Sequence, residues 1–143
     1  MMPKQFTIGR NERLKSRKQI EQVFAKGKSF VVSPFRIYFD EKLHADHPML
    51  NIQFGIGVSS KNFKRAVDRN RIKRLTREAW RLQKNDPIAI GLKEKIKTSG
   101  KQLNVFFIYT GKEVPDFTIV KDKVAVALKK LLNKIDENNT ANP

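Results

Sequence analysis

The chain has 143 residues, of which 30 are lysine or arginine and 14 are aspartate or glutamate, so its formal net charge is +16. That length suits one domain with one core, and the hydrophobic fraction of 39% excludes a chain that is disordered throughout. The charge increases self-repulsion in the folded state and therefore indicates a polyanionic partner, whereas the absence of cysteine excludes disulfides and thiolate metal sites.

A membrane protein would carry an apolar span of roughly 20 residues, and a secreted one an apolar signal-peptide core. No apolar run in the sequence approaches that length, and the N-terminal stretch MMPKQFTIGRNERLKSRK is polar and basic. We therefore expect a soluble protein of the cytoplasm whose residues 1–13 form a flexible basic arm.

The first predicted helix follows this arm, with the apolar residues Ile20, Val23 and Phe24 at helical spacing. Gly27 predicts its end, because glycine adopts at little cost the left-handed conformation that closes many helices.

Three strands should follow. Residues 29–32 and 35–40 are rich in β-branched and aromatic side chains, with Pro34 as a break between them. The clearest strand covers residues 51–59, because apolar side chains alternate there with small or polar ones. Its apolar face carries Ile52, Phe54, Ile56 and Val58, and its other face carries Asn51, Gln53, Gly55 and Gly57. Such a strand belongs to a sheet with one covered face and one open face.

A second helix is predicted from about Ala66 to Gln83, because apolar residues recur there at helical spacing. The residues expected to face the core or its edge are Ile72, Leu75, Ala79, Trp80 and Leu82. Residues 88–100 predict a short helix, residues 103–110 a buried strand and residues 137–143 a disordered polar tail. Between the last two segments, a final helix carries Val124, Leu128, Leu131 and Ile135.

The predicted fold class is α+β, a two-layer sandwich in which helices cover one face of a mixed four-stranded sheet. The order of the main elements is α-β-β-β-α-β-α. Residues 14–136 would form this single domain, and we find no internal repeat.

The segment from residue 64 to residue 81, KRAVDRNRIKRLTREAWR, is the most informative part of the sequence. On a helix, four basic side chains fall four residues apart and form one ridge: Arg69, Lys73, Arg77 and Arg81. Arg71 and Arg74 flank this ridge. Like charges at this spacing repel one another, and the phosphates of a nucleic acid would turn that repulsion into attraction. A solvated charged face is the alternative interpretation, but the nearly uniform sign and the dominance of arginine favour binding of RNA or DNA.

Other motifs predict neither a catalytic nor a metal site. His44 and His47 lie near Asp46 in a predicted loop, but a zinc site usually needs further ligands, so we interpret them as surface residues. The carboxylates show no paired arrangement for acid–base catalysis, and no phosphate loop or nucleophile motif is present.

The helical run AVDRNRIKRLTRE, residues 66–78, resembles the signature helix of the bacterial ribonuclease P protein family. That pattern is an alanine, two residues, Arg-Asn-Arg, an aliphatic residue, Lys-Arg and another basic residue three positions on. The first helix LKSRKQIEQVFAKG and the strands PFRIYFD, IGVSSK and NVFFIY are also similar and occur in the same order, so the resemblance covers residues 10–135. Two features depart from the family. Lys64 and Arg65 occupy a connection that usually contains glycine, and Ile20 replaces a common aromatic residue.

The resemblance implies a ribosomal protein S5 domain 2-like fold and a protein subunit of an RNA-catalysed endoribonuclease, with no catalytic residue in this chain. The catalytic RNA would use Mg²⁺, bound mainly by the RNA itself, to remove the 5′ leader from precursor tRNA. The expected partners are that catalytic RNA and precursor tRNA, bound by a monomer in a one-to-one complex with the RNA.

The resemblance also implies two RNA-facing surfaces. The basic helix and the loop before it would bind the catalytic RNA through Lys61, Arg65, Arg69, Asn70, Arg71, Lys73, Arg74 and Arg77. A cleft between the first helix and the open sheet face would bind the leader through Phe24, Arg36, Tyr38, Gly55 and Gly57. The two glycines would let an RNA backbone approach closely. Three alternative roles stay open: Asn70 could brace the helix, Phe24 could pack in the core, and Tyr38 could be a solvent-edge residue.

Two other functions stay open on composition. A non-enzymatic ribosomal or RNA-packaging protein would share the basic charge, although the Arg-Asn-Arg helix argues against it. A protein nuclease would need a metal held by carboxylates, for which Asp68 and Glu78 are the residues to test.

Overall fold

The computed structural model describes residue 14 and residues 17–43, 52–83, 86–99 and 101–140. In chain order its elements are α1 (Arg17–Lys26), β1 (Lys28–Val32), β2 (Phe35–Leu43), β3 (Ile52–Val58), α2 (Ala66–Leu82), α3 (Pro87–Ser99), β4 (Lys101–Tyr109) and α4 (Phe117–Thr140). The predicted α+β class is confirmed, and the short helix expected after residue 88 is α3. The predicted arm over residues 1–13 and the loop with His44, Asp46 and His47 lie outside the described residues.

The four strands form one mixed sheet in the order β1-β2-β4-β3. Strand β2 is antiparallel to both β1 and β4, whereas β3 runs parallel to β4. A parallel pair needs a long crossover connection, and α2 and α3 provide it. As a central strand, β4 is buried along its core face and at least half-buried along the other from Gln102 to Tyr109, which explains why its sequence is apolar with little alternation.

One face of the sheet carries the hydrophobic core. Phe35 and Ile37 of β2 and Phe107 of β4 are fully buried there, and Trp80 of α2 stacks on Phe54 with 4.4 Å between the ring centroids. Helix α4 adds the predicted row of buried residues Val124, Leu128, Leu131 and Ile135. Each such side chain contributes about 1.5–3 kcal/mol through burial, so α2 and α4 are firmly attached to this face.

The buried stripe of α2 differs in part from its prediction. Ile72 and Ala79 are fully buried as expected, but Leu82 is 40% exposed, so its core assignment is wrong. Leu82 lies one heptad after the half-buried Leu75, at the margin of the stripe. Thr76 is buried instead, and its hydroxyl donates a hydrogen bond of 2.8 Å to the carbonyl of Ile72.

Helix α1 packs on the opposite face of the sheet from α2 and α4, a detail that the prediction of helices on one face missed. The Phe24 ring lies 4.7 Å from Tyr38 and 5.3 Å from Phe106, which alternate with the core-facing Ile37 and Phe107. This helix is short, and Val23 is its one fully buried residue. We therefore infer that α1 covers only part of this face of the sheet.

Two element ends also differ from prediction. Gly27 follows α1 as expected, but its φ is not left-handed; a Cβ there would clash with the carbonyl oxygens of Val23 and Phe39. Glycine is therefore required because α1 passes close to β2. Helix α4 continues to Thr140, so residues 137–140 of the predicted disordered tail are helical. Adding residues to a helix that has already formed needs no new nucleation, so this extension costs little free energy.

None of the described helices combines the length and apolar character that crossing a bilayer requires.

Candidate nucleic-acid interface

The outward side of α2 carries most of the predicted basic residues. We define its basic face as Asn70, Arg71, Arg74 and Arg77, which are all exposed. Lys73 is half-buried beside this face. The core anchors the other side of the helix through Ile72 and Trp80, so these side chains face solvent at positions held by a rigid scaffold.

The predicted ridge is not uniform, because Arg81 is paired with an acid. Its Nε donates to Glu78 Oε2 at 3.1 Å, and its Nη2 pairs with the other carboxylate oxygen. The hydrogen bond that Arg81 donates to Glu78 raises the pKa of Arg81 above its usual value. The last turn of α2 therefore presents a neutralised pair.

Arg69 also leaves the predicted ridge. It is half-buried, and its Nη1 donates to the carbonyl oxygens of Phe63 at 2.7 Å and Lys64 at 2.9 Å. Arg69 lies one heptad before the buried Thr76, so its side chain starts at the margin of the core stripe and turns towards the segment before α2.

The connection between β3 and α2, residues 59–65, has a defined path. The amides of Lys61 and Phe63 donate to the hydroxyl and carbonyl of Ser59, both at 3.1 Å. The Phe63 side chain is buried, with its ring 6.0 Å from that of Tyr109. The sequence-based prediction placed no core residue in this segment, so the buried position of Phe63 was not expected.

The exposed side chains of this connection include the predicted Lys61 and Arg65. Arg65 forms an ion pair of 3.7 Å with Asp68 of the first helical turn. Both groups are partly or largely exposed, and such a pair contributes little to stability. Lys64 is also exposed, beside Arg65.

The predicted leader residues Phe24, Arg36 and Tyr38 are brought together on the α1 side of the sheet. Phe24 meets Tyr38 edge to face, and the Arg36 guanidinium carbon lies 5.9 Å from the Tyr38 ring centroid. Phe24 is 40% exposed, so it lines a surface rather than filling the core. A further wall of the same cluster is Phe106, 5.3 Å from Phe24. Phe106 went unassigned because its strand is apolar on both faces, although its alternation with Phe107 was visible.

Of the two glycines of β3, Gly55 does not offer open backbone as predicted. A Cβ on Gly55 would lie 2.7 Å from Phe106 Cδ2, and one on Gly57 would lie 3.0 Å from Phe106 Cε1. Gly55 is buried and Gly57 is half-buried. The expectation that an RNA backbone approaches them is therefore wrong for Gly55, because the ring of Phe106 already occupies the space.

Strand register places the open part of this face in one row. Val31, Arg36, Ile108 and Gly57 are successive partners across β1, β2, β4 and β3. Val31 is 53% exposed and Arg36 is also exposed. We call this row, together with Phe24, Tyr38 and Phe106, the α1 cleft. It combines an apolar floor with aromatic edges and one cation.

Under α1 the same face becomes polar and closed, contrary to the open face expected for β3. Gln53 is buried and accepts a hydrogen bond of 2.9 Å from Gln102, whose Nε2 also donates to Asn104 Oδ1 at 2.6 Å. These residues stabilise the sheet beneath the helix and give the α1 cleft a polar end.

A family model described as ribonuclease P matches residues 8–135. The chain belongs to the ribonuclease P protein family. It is 32% identical to the ribonuclease P protein component of Porphyromonas gingivalis strain W83 over 140 residues, which cover 98% of this chain and 97% of the relative. It is also 27% identical to that of Chlorobium phaeobacteroides over 124 residues, covering 83% and 84%.

Solved structures of ribonuclease P proteins share the fold. The protein from Thermotoga maritima superposes with a TM-score of 0.61 at 27% identity, covering 83% of this chain and 96% of that one. The protein from Staphylococcus aureus gives a TM-score of 0.62 at 22% identity, covering 83% and 94%. The second likeness shows the fold alone.

In this ribonuclease P family member, residues within the described segments do not gather into a metal site. No three His, Cys, Asp or Glu side chains in those segments are grouped around a common point. Asp68 and Glu78, the carboxylates that a protein nuclease would need, are paired with Arg65 and Arg81.

Proposed function

We propose that this chain is the protein subunit of ribonuclease P, which binds the catalytic RNA and the 5′ leader of precursor tRNA and assists removal of that leader. Membership of the family and relatives named ribonuclease P protein component support this assignment. The observation that carries the proposal is the separation of two dissimilar surfaces. The basic face of α2 lies on one side of the sheet and the α1 cleft on the other, so two RNA segments can be bound together.

The basic face of α2 is the proposed site for the catalytic RNA, with the exposed Lys61 and Arg65 of the preceding connection. Arg71 and Arg74 are exposed on a helix that the core anchors, and arginine binds phosphate oxygens through two parallel N–H groups. Counterions released from the RNA backbone would drive much of this binding, so affinity should fall steeply with salt. Lys73 and Arg77 would extend the same contact.

The α1 cleft is the proposed site for the single-stranded leader. Phe24 and Tyr38 provide ring faces and edges on which unpaired bases can stack, each at about 1–3 kcal/mol with little sequence preference. Arg36 lies beside Tyr38 and would pair with a phosphate or stack on a base. Such a site accepts leaders of different sequence, as a general processing enzyme requires.

The hydrolysis itself is assigned to the RNA. Mg²⁺, bound mainly by the RNA, would supply the activated water and stabilise the leaving oxygen. This chain would contribute by binding and orienting the leader relative to the RNA. The subunit would act as a monomer, one copy for each catalytic RNA, in the cytoplasm.

Reconstitution tests the proposal. The purified protein alone should leave precursor tRNA uncut, and adding the catalytic RNA with Mg²⁺ at low salt should give cleavage at the mature 5′ end. The protein should improve the activity of the RNA. Cleavage by the protein alone, or no improvement at any salt concentration, would contradict the assignment.

Crosslinking in cells separates the proposal from a role in ribosomes or RNA packaging. The proposed function predicts that the ribonuclease P RNA dominates the recovered RNA. Dominant recovery of ribosomal RNA would favour the alternative.

A further inference from the structure

Arg69 holds three consecutive carbonyl groups at the start of α2. Its Nη1 donates to the carbonyl oxygens of Phe63 and Lys64, at 2.7 and 2.9 Å, and its backbone amide donates to that of Arg65 at 3.3 Å. A single guanidinium nitrogen is therefore committed to two acceptors. Arg69 is half-buried, in contrast to its exposed neighbours Asn70 and Arg71.

The same connection is held at two other points. Ser59 accepts hydrogen bonds from the amides of Lys61 and Phe63, and the Phe63 side chain is buried in the core. Between Phe63 and the helix, however, Arg69 is the one side chain among the described residues that donates to the carbonyls of residues 63 and 64. The helix start has no side-chain cap either, since Arg65 at the N-cap makes none. The Arg65 side chain also pairs with Asp68 at 3.7 Å, but the backbone between Phe63 and the first helical turn is held by the Arg69 side chain.

We propose that Arg69 is a positioning residue, whose guanidinium fixes the carbonyls of Phe63 and Lys64 and thereby presents the Lys64 and Arg65 side chains to RNA. This inference rests on the proposed function of the basic face. It divides the arginines of the Arg-Asn-Arg motif into two roles. Arg71 binds phosphate directly, while Arg69 orders the segment beside it.

The physical reason is the cost of ordering. Lys64 and Arg65 are exposed and have flexible side chains on an irregular backbone. If the backbone is free to move, binding RNA must also order it, and affinity falls accordingly. Lysine cannot reproduce the arrangement, because its side chain is one atom shorter to Nζ than that of arginine is to Nη1, so its ammonium group falls short of the two carbonyl oxygens.

Charge-conserving substitutions give the first test. Arg69→Lys should weaken binding of the catalytic RNA by about tenfold, whereas Arg74→Lys, which keeps a cation at an exposed phosphate contact, should weaken it by only about twofold. Filter binding or fluorescence anisotropy at fixed salt measures both. Equal losses for the two variants would overturn the positioning role.

A double-mutant cycle gives the second test. We would compare Arg69→Ala, the pair Lys64→Ala with Arg65→Ala, and the triple variant. If Arg69 acts through Lys64 and Arg65, the triple variant should bind no more than about twofold worse than the Lys64/Arg65 pair. Losses that multiply would show that Arg69 contacts RNA independently and would sink the inference.

A matched cycle distinguishes the possible failures. In this second cycle, Arg74→Ala takes the place of Arg69→Ala. The losses in RNA affinity should then multiply, because Arg74 makes no hydrogen bond to the connection among the described residues. Thermal unfolding of every variant checks that the domain is intact, and Arg69→Lys keeps the test available if Arg69→Ala does not fold. If Arg74→Ala itself leaves RNA affinity unchanged, the proposed function of the basic face fails, rather than the positioning role alone.

Discussion

Phe106 and Gly55 are matched across the β3–β4 pair, so that the aromatic ring fills the space where a side chain at Gly55 would stand. The distance from an ideal Cβ at Gly55 to Phe106 Cδ2 would be 2.7 Å, and that to the carbonyl oxygen of Leu14 would be 3.0 Å. The ring held in this way meets Phe24 edge to face at 5.3 Å. The shape of the α1 cleft therefore depends on a glycine in the neighbouring strand.

Gly55→Ala should destabilise the protein and damage the α1 cleft together. The added methyl group has no room between Phe106 and the Leu14 carbonyl, and overpacking of this kind costs about 1–3 kcal/mol. Urea unfolding measures the loss of stability, and binding of precursor tRNA measures the damage to the cleft. Unchanged stability would show that the ring moves aside freely.

Gly91→Ala is the matched control and should have the opposite sign. Gly91 lies inside α3, and a Cβ there would meet no atom within 4 Å. Alanine in a helix interior is favoured over glycine by about 0.5–1 kcal/mol. The same urea titrations should show increased stability, with RNA binding unaltered. A loss of stability would contradict the open surroundings of this residue.

Tyr38→Ala should weaken the binding of precursor tRNA more than the binding of mature tRNA. Tyr38 contacts Phe24 and lies beside Arg36 in the α1 cleft, and only the precursor carries a leader to stack there. Loss of one stacked base is expected to cost about 1–3 kcal/mol. Affinities of the reconstituted holoenzyme for the two tRNAs give the comparison. Equal loss for both would defeat the assignment of the leader to this cleft.

Arg74→Ala should lower the salt dependence of binding to the catalytic RNA, whereas Arg81→Ala should change it less. Removing one phosphate contact reduces the slope of log affinity against log salt by about one. The carboxylate of Glu78 already neutralises the charge of Arg81, so Arg81 should attract a phosphate less strongly. A salt titration of both variants checks the difference, and identical slopes would argue against the distinction.

Comparison with the Tyr109→Phe variant should show that the ionisation of Tyr109 lowers the stability of the parent protein at alkaline pH. Burial, followed by the charge of Glu113, raises the pKa of Tyr109 above its usual value, and its hydroxyl donates to the Glu113 carbonyl at 2.6 Å. A raised pKa stabilises the folded state below the unfolded pKa of about 10, and this contribution is lost as the pH rises through the folded pKa. The advantage of the parent over Tyr109→Phe in unfolding free energy should therefore shrink above about pH 10. A constant difference would contradict the assignment.

The sequence by itself determined the features that depend on local order along the chain. The period of α2 with its fully buried Ile72 and Ala79, the apolar face of β3 and the row of α4 ending at Ile135 were predicted correctly. These properties follow from spacing within one element, which the chain carries directly. The helix signature identified the family for the same reason.

Only the tertiary structure decided which neighbours each element meets. Arg69 turned from the predicted ridge to the Phe63 carbonyl because the rotation of α2 on the sheet set the margin of its buried stripe. Gly55 lies under Phe106 because β3 pairs with β4 in one particular register. Spacing within an element specifies a face, but contact between elements distant in sequence depends on how their faces pack, and that determines which side chains remain available to RNA.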